Sequence, residues 1–187
     1  MALQTFHDTL VSSVTDGPTL TAAARASCIP TADRIFLPSH YFYPGRALRF
    51  RLGGRISCAV TTPGTVRFDI CLGSAGTTIV FDTLALNLNI VAKTNVPWLL
   101  DVTLICRAVG AGTSTVFFPV GVFQSEAVIA SPLPTVGGNG SLLVPTGAPA
   151  VGAGCDNTVA SAVDVFHTQT VATGSLTVHT YQVDALN

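Results

Sequence analysis

What this chain has least of is charge. Asp, Glu, Lys and Arg make up 10% of its 187 residues, against about 25% in an ordinary soluble domain. Lysine and glutamate occur once each, as Lys93 and Glu126, and the formal charges sum to -1. A near-neutral chain with a pI near 6.4 lacks the net basic surface that grips phosphates, so no nucleic-acid partner is expected. Hydrophobic residues reach 48%. With so few solvating groups, part of the surface is expected to be covered by copies of the chain or by another protein.

Long apolar runs are missing too. A membrane-spanning helix needs about 20 consecutive apolar residues. Here Asp69, Asp82, Asp101, Arg107 and numerous prolines and glycines cut the runs short. Aromatics, at 7%, are too sparse for the two girdles of an outer-membrane barrel, and no membrane partner is expected. The opening MALQTFHDTL has neither a basic start nor an apolar stretch of signal-peptide length, which predicts synthesis and retention in a cytosol.

The equipment of known chemistries is also absent. The cysteines at 28, 58, 71, 106 and 155 are odd in number and show no CxxC spacing. They are expected to be free thiols that pack as small hydrophobes, with no zinc site. No two of His7, His40, His167 and His179 have HxH or HxxxH spacing, so no metal is expected. His167 and His179 lie on the last two predicted strands, where they could be cross-strand neighbours; the plainer expectation is two partly exposed strand histidines. There is no GxSxG elbow and no GxxxxGK[ST] phosphate loop. Asp69, Asp82, Asp101, Asp164 and Asp184 fall one per strand, as solubilising an outer face would require. The reading is a non-enzymatic protein with no catalytic residue and no cofactor.

What the chain does have is strand. In RALRFRL, Leu48, Phe50 and Leu52 alternate with Arg49 and Arg51, the period of a half-buried strand. Gly53-Gly54 predicts a bulge or kink. Val66, Phe68, Ile70 and Leu72 share a face opposite Arg67, Asp69 and Cys71; Leu84, Leu86, Leu88 and Ile90 predict another strand. Trp98, Leu100, Val102, Leu104 and Cys106 define a long one, with Trp98 packing in a core or interface. Pro119 in the next predicts an edge position or a bulge. Residues 131–157 read as loop with a short strand at 141–144, and two strands close the chain. Strands at roughly ten-residue spacing, with no amphipathic helix, predict an all-β antiparallel sandwich or barrel. Residues 34–187 form this domain. Residues 1–33, rich in Thr, Ala and Ser with a turn at Asp16-Gly17-Pro18, form an extended N-terminal arm that could lie across a neighbouring subunit.

Four of the nine basic residues crowd into residues 46–55. Three readings remain open. Arg49 and Arg51 could ladder with Arg67 and Asp69 on the next strand, where opposite charges contribute about 0.2–1 kcal/mol. They could meet another subunit. Least in keeping with the acidic balance, they could line a phosphate groove. The neighbouring Tyr41, Phe42 and Tyr43, held between Pro38 and Pro44 beside Arg46, form either a packed corner or an aromatic platform for a sugar. Tyr41, Phe42, Tyr43, Arg46, Arg49 and Arg51 are the candidate interface residues.

The segments PGRALRFRLGGRIS, PGTVRFDICLG, TNVPWLLDVTLICRAVG and the closing TYQVDALN, spread over residues 37–187, resemble small virion structural proteins of tailed bacteriophages. The resemblance implies a jelly-roll-like sandwich that assembles as a homotrimer. It implies a place on the capsid surface as a decoration or cement protein bound to the major capsid protein, after synthesis in the host cytoplasm. A tail or fibre component recognising a host-surface sugar or protein is the alternative it leaves. It transfers no catalytic residue.

Overall fold

Alternating apolar residues do not say which strands pair and which stack; the computed structural model does, over residues 7–59, 63–129, 140–148 and 150–186. In chain order the strands are β1 (His7–Ser12), β2 (Arg25–Ser27), β3 (Phe36–Leu37), β4 (Ala47–Cys58), β5 (Thr65–Leu72), β6 (Thr78–Asp82), β7 (Leu86–Asn87), β8 (Lys93–Ala108), β9 (Val116–Ser125), β10 (Ser141–Val144), β11 (Ser161–Ala162), β12 (Asp164–Gln169) and β13 (Ser175–Leu186). A single 3-10 turn at Thr31–Asp33 interrupts them among the described residues. Residues 1–6 of the expected arm, residues 60–62 after β4 and residues 130–139 of the loop-rich stretch lie outside the described residues.

The strands form an antiparallel β-sandwich. One sheet has the order β1-β13-β4-β8-β9-β10; the other runs β2-β12-β5-β6, with β7 also paired to β5. A small ladder of β11 and β3 stands apart from both. The inward faces follow the alternation: Leu48, Phe50 and Leu52 on β4, Leu100, Val102 and Leu104 on β8, Val66, Phe68 and Ile70 on β5, and Val165 and His167 on β12 are all buried. At the centre, Phe68 and His167 of the second sheet meet Trp98 and Phe123 of the first. The Phe68 ring lies 5.0 Å from Trp98, 5.4 Å from Phe123 and 5.2 Å from His167, within the range of favourable aromatic contacts.

Several expectations change. β5 is not the neighbour of β4: each carries an apolar face, and the two stack in opposite sheets. Gly53-Gly54 does not bulge; the extra residue is His179 on β13, between Val178 paired with Gly54 and Thr180 paired with Gly53. Gly54 is needed there, since a Cβ would sit 1.9 Å from the Thr177 carbonyl oxygen. The strand expected through Leu84 breaks into β6 and β7. Leu84 takes φ 62° and is exposed, while the Thr83 hydroxyl accepts the Phe68 N–H at 2.9 Å and the Thr83 N–H donates to the Phe68 carbonyl. Pro119 pairs with Leu104 on one side, and β10 reaches along β9 only as far as Gly121, so the proline lies beyond the end of that ladder.

From His7 the N-terminal segment lies along its own chain. β1 pairs with β13, Gly17 and Leu20 donate to the Val178 and Leu176 carbonyls, and β2 then joins the opposite sheet beside β12. Cys28 and Ile29 end the crossing inside the core.

His167 and His179 are not cross-strand neighbours, because β12 and β13 belong to different sheets. His179 Nδ1 lies 2.8 Å from Asp16 Oδ1, within hydrogen-bonding distance. His167 is fully buried, and neither ring nitrogen has a hydrogen-bond partner among the described residues. Burial pushes its pKa from 6.5 down to about 4. Because the folded value lies below the unfolded one, the stability due to the neutral ring is complete above pH 6.5 and is lost as pH falls towards 4. Unfolding by urea at pH 7 and pH 4.5 should reveal an acid loss of about 2 kcal/mol from this ring. The same comparison in His167→Leu should show a much smaller loss; an equal loss in the variant would place the sensitivity elsewhere.

Candidate interaction surface

The outer face of the six-stranded sheet is built from the outward positions of β4, β8, β9 and β10. Arg49 and Arg51 project from β4, opposite Thr103 and Asp101 of β8. Arg49 Nε donates to Asp101 Oδ1 at 2.9 Å, its Nη2 donates to Oδ2, and Arg51 Nε lies 3.5 Å from Oδ2. The hydrogen bond from Arg49 holds the Asp101 carboxyl below its usual range. Beside this row, Leu99, Val120 and Leu143 are 44%, 47% and 75% exposed. Together they line a shallow depression of about 420 Å³ with Arg49 and Asp101. So Arg49 and Arg51 do pair with a carboxylate, but it is Asp101 in their own sheet rather than Asp69.

Asp69 serves the other sheet. It is 1% exposed and sits directly opposite Asp82 in the β5–β6 ladder, an arrangement that is repulsive unless bridged. Arg67 bridges it, with Nε 2.9 Å from Asp69 and Nη2 2.6 Å from Asp82. Arg25 adds a second guanidinium 2.8 Å from Asp69 and stacks 3.7 Å over the Phe166 ring. Burial and the neighbouring Asp69 charge still raise the Asp82 carboxyl. Asp164 and Asp184 are likewise buried. These carboxylates therefore do not wet an outer face as expected; arginines cover Asp69 and Asp164, and Thr9 and Gln182 donate to Asp184.

The aromatic corner is a packed one. The Arg46 guanidinium stacks 3.8 Å over Tyr41 and lies 5.4 Å from Tyr43, and its Nη1 donates to the Tyr41 carbonyl. Phe42 is buried edge-on against Phe117 at 4.8 Å. Asn157 clamps the Phe42 backbone: Oδ1 accepts its N–H and Nδ2 donates to its carbonyl, each at 3.0 Å. Sequence reading passed over Asn157 because it sits among glycines and alanines with no periodic pattern. Of the candidate interface residues, Arg49 and Arg51 project from the sheet, Tyr43 is 45% exposed, and Tyr41, Phe42 and Arg46 hold the corner together.

The five cysteines are free and buried. Burial raises the Cys71 and Cys155 thiols to about 11, which suppresses the reactive thiolate. Among the described residues no three His, Cys, Asp or Glu side chains gather as a metal site would need.

No protein-family model matches the chain, and no curated protein matches it. Among solved structures, an alginate lyase from Alteromonas sp.272 aligns over 85% of this chain and 74% of that one, at 9% identity and a TM-score of 0.21. A likeness that low carries no argument about fold or activity.

The two arginine clusters should respond differently to mutation. Arg67→Gln removes the bridge between facing carboxylates, one of them buried, and should destabilise by about 2–3 kcal/mol in urea unfolding. Arg51→Gln, at a half-exposed secondary contact, should cost less than about 1 kcal/mol.

Proposed function

We propose that this chain is a non-enzymatic structural subunit of a virion, a decoration or cement protein that binds the outer capsid surface and stabilises the shell. The observation that carries the reading is the outer face of the six-stranded sheet. Arg49 and Arg51 share the Asp101 carboxylate there, with the buried Asp184 of β13 directly across from Arg49, and the other half offers Leu99, Val120 and Leu143 to solvent. A face of that kind loses little on being desolvated against protein, because its ions are already paired and its apolar groups gain. A closed ring of identical subunits, here a homotrimer, is the common way to cover such a face. Contacts repeated over a capsid lattice of the major capsid protein then add by avidity. The pairing of the first long strand with the last (β4 with β13) and of the next with the penultimate (β5 with β12) supports a jelly-roll-like winding. The virion assignment itself rests on the resemblance of the strand segments described above.

Size-exclusion chromatography with light scattering should give three times the 19.3 kDa chain mass, and the protein should co-sediment with capsids of the virus that encodes it. Leu143→Glu, at an exposed position, should leave the thermal midpoint of the isolated fold within a few degrees while reducing the native mass. A wild-type monomer that fails to sediment with capsids would overturn the proposal.

A further inference from the structure

We propose that the cleft between β3, the start of β12 and the β5–β6 turn is a binding site for one ring of a neutral saccharide, with Phe36 as its stacking platform. This goes beyond the structural role and does not depend on it. The chain from residue 34 to 37 alternates: Ile35 and Leu37 pack against the core, and Arg34 and Phe36 face outward. Phe36 is 72% exposed, although its neighbour in β3 is buried. Its backbone partner is Ala162 on β11, so nothing bulky stands beside the ring on that side.

The cleft encloses about 290 Å³ and is lined by Phe36, Arg34, Asp164, Thr31 and Ser74, with Gly76 and Ala162 among its smaller residues. That is the low end of the range for ligand clefts and suits one sugar ring rather than an extended chain. Gly76 takes φ 63°, and a Cβ there would come within 3.3 Å of the Ala162 Cβ and 3.6 Å of the Asp164 Cβ. A larger residue would therefore fill the space beside the carboxylate.

The polar groups are fixed in advance. Asp164 is 5% exposed. Its Oδ1 accepts from the Ser27 hydroxyl at 2.6 Å and from the Val165 N–H at 2.8 Å, and its Oδ2 lies 3.1 Å from Arg34 Nε. The guanidinium thus enters the cleft held by one edge, while Thr31 and Ser74 add hydroxyls. A pyranose ring has an apolar C–H face and a rim of hydroxyls that both donate and accept. An exposed phenyl ring beside a positioned donor, a carboxylate and two hydroxyls matches both parts. The Arg34 and Asp164 charges cancel, and the buried carboxylate disfavours a second anion, so the site selects a neutral sugar over an acidic one.

The test is saturation-transfer difference NMR on the full chain with methyl glycosides of glucose, galactose, mannose and N-acetylglucosamine. Binding is expected for at least one of them, with a dissociation constant of about 1 mM and saturation strongest on the ring C–H protons. Phe36→Ala, which removes an exposed ring and no core contact, should weaken that binding about tenfold, worth about 1.4 kcal/mol; Phe36→Tyr should retain it. Absence of transfer to all four glycosides would overturn the proposal, and so would transfer undiminished in Phe36→Ala. No transfer together with a lower native mass in Phe36→Ala would assign the ring to a subunit contact instead.

Discussion

The register of β4 is the constraint on which the rest of the structure hangs. It is paired along nearly its whole length on both sides, with Phe50 between Val183 and Val102 and Arg51 between Gln182 and Asp101. Side chains alternate faces with a period of two, so a slip of β4 by one residue would carry Arg49 and Arg51 into the core and expel Phe50 and Leu52. Burying an unpaired guanidinium costs several kcal/mol, and losing a buried Phe or Leu adds about 1.5–3 kcal/mol each. The register is therefore fixed by both faces at once. The extra residue at His179 lets β13 follow β4 past Gly54, where no side chain fits against the Thr177 backbone.

The shortage of charge has a consequence for where charge can go. The buried carboxylates are Asp69, Asp164 and Asp184, and each is met by donors that come from elsewhere in sequence. Arg25 reaches Asp69 from the N-terminal segment, Arg34 reaches Asp164 from the chain just after it, and Thr9 donates to Asp184 from β1. Residues 7–34 thus serve buried acids on both sheets, with guanidiniums at Asp69 and Asp164 and a hydroxyl at Asp184. The segment is coupled electrostatically to the sandwich as well as by its backbone ladders. Removing it would leave those acids buried with fewer donors, a heavier loss than the modest apolar area of β1 and β2 alone suggests.

Much of the strand content was legible because the alternation was strong. β4, β5, β8, β9, β12 and β13 all fall where apolar residues recur every second position, and the short strand at 141–144 stands out between glycine- and proline-rich flanks. Pairing was not legible. A period of two tells which face of a strand is buried, not which sheet the strand joins, so β4 and β5 looked like neighbours when they stack. His167 shows a signal that was present and underweighted: it follows Val163 and Val165 on the inward face, which pointed to burial. Leu84 also fits the alternation, but an expectation built on period alone cannot foresee a left-handed residue that lets Thr83 take over the β5 ladder. The cleft beside Phe36 had no local signature at all. Its polar groups come from three distant stretches, Thr31 with Arg34, Ser74, and Asp164, and only the folded topology brings them together.

The two proposed surfaces differ in a way that bears on how they work together. The sheet face is broad, apolar on one half and salt-bridged on the other, which suits a large partner and gives little grip on a small molecule. The cleft is narrow, carries one exposed ring and a few directed polar groups, and is too small to dock a protein surface. One belongs to the outer side of the six-stranded sheet; the other is built on the β5–β6 turn of the opposite sheet and the ladder of β3 and β11. Covering the first therefore leaves the second open. A subunit held in an assembly by its six-stranded sheet would present Phe36 on the side it keeps free, and copies arrayed on a particle would multiply a millimolar sugar contact into useful avidity.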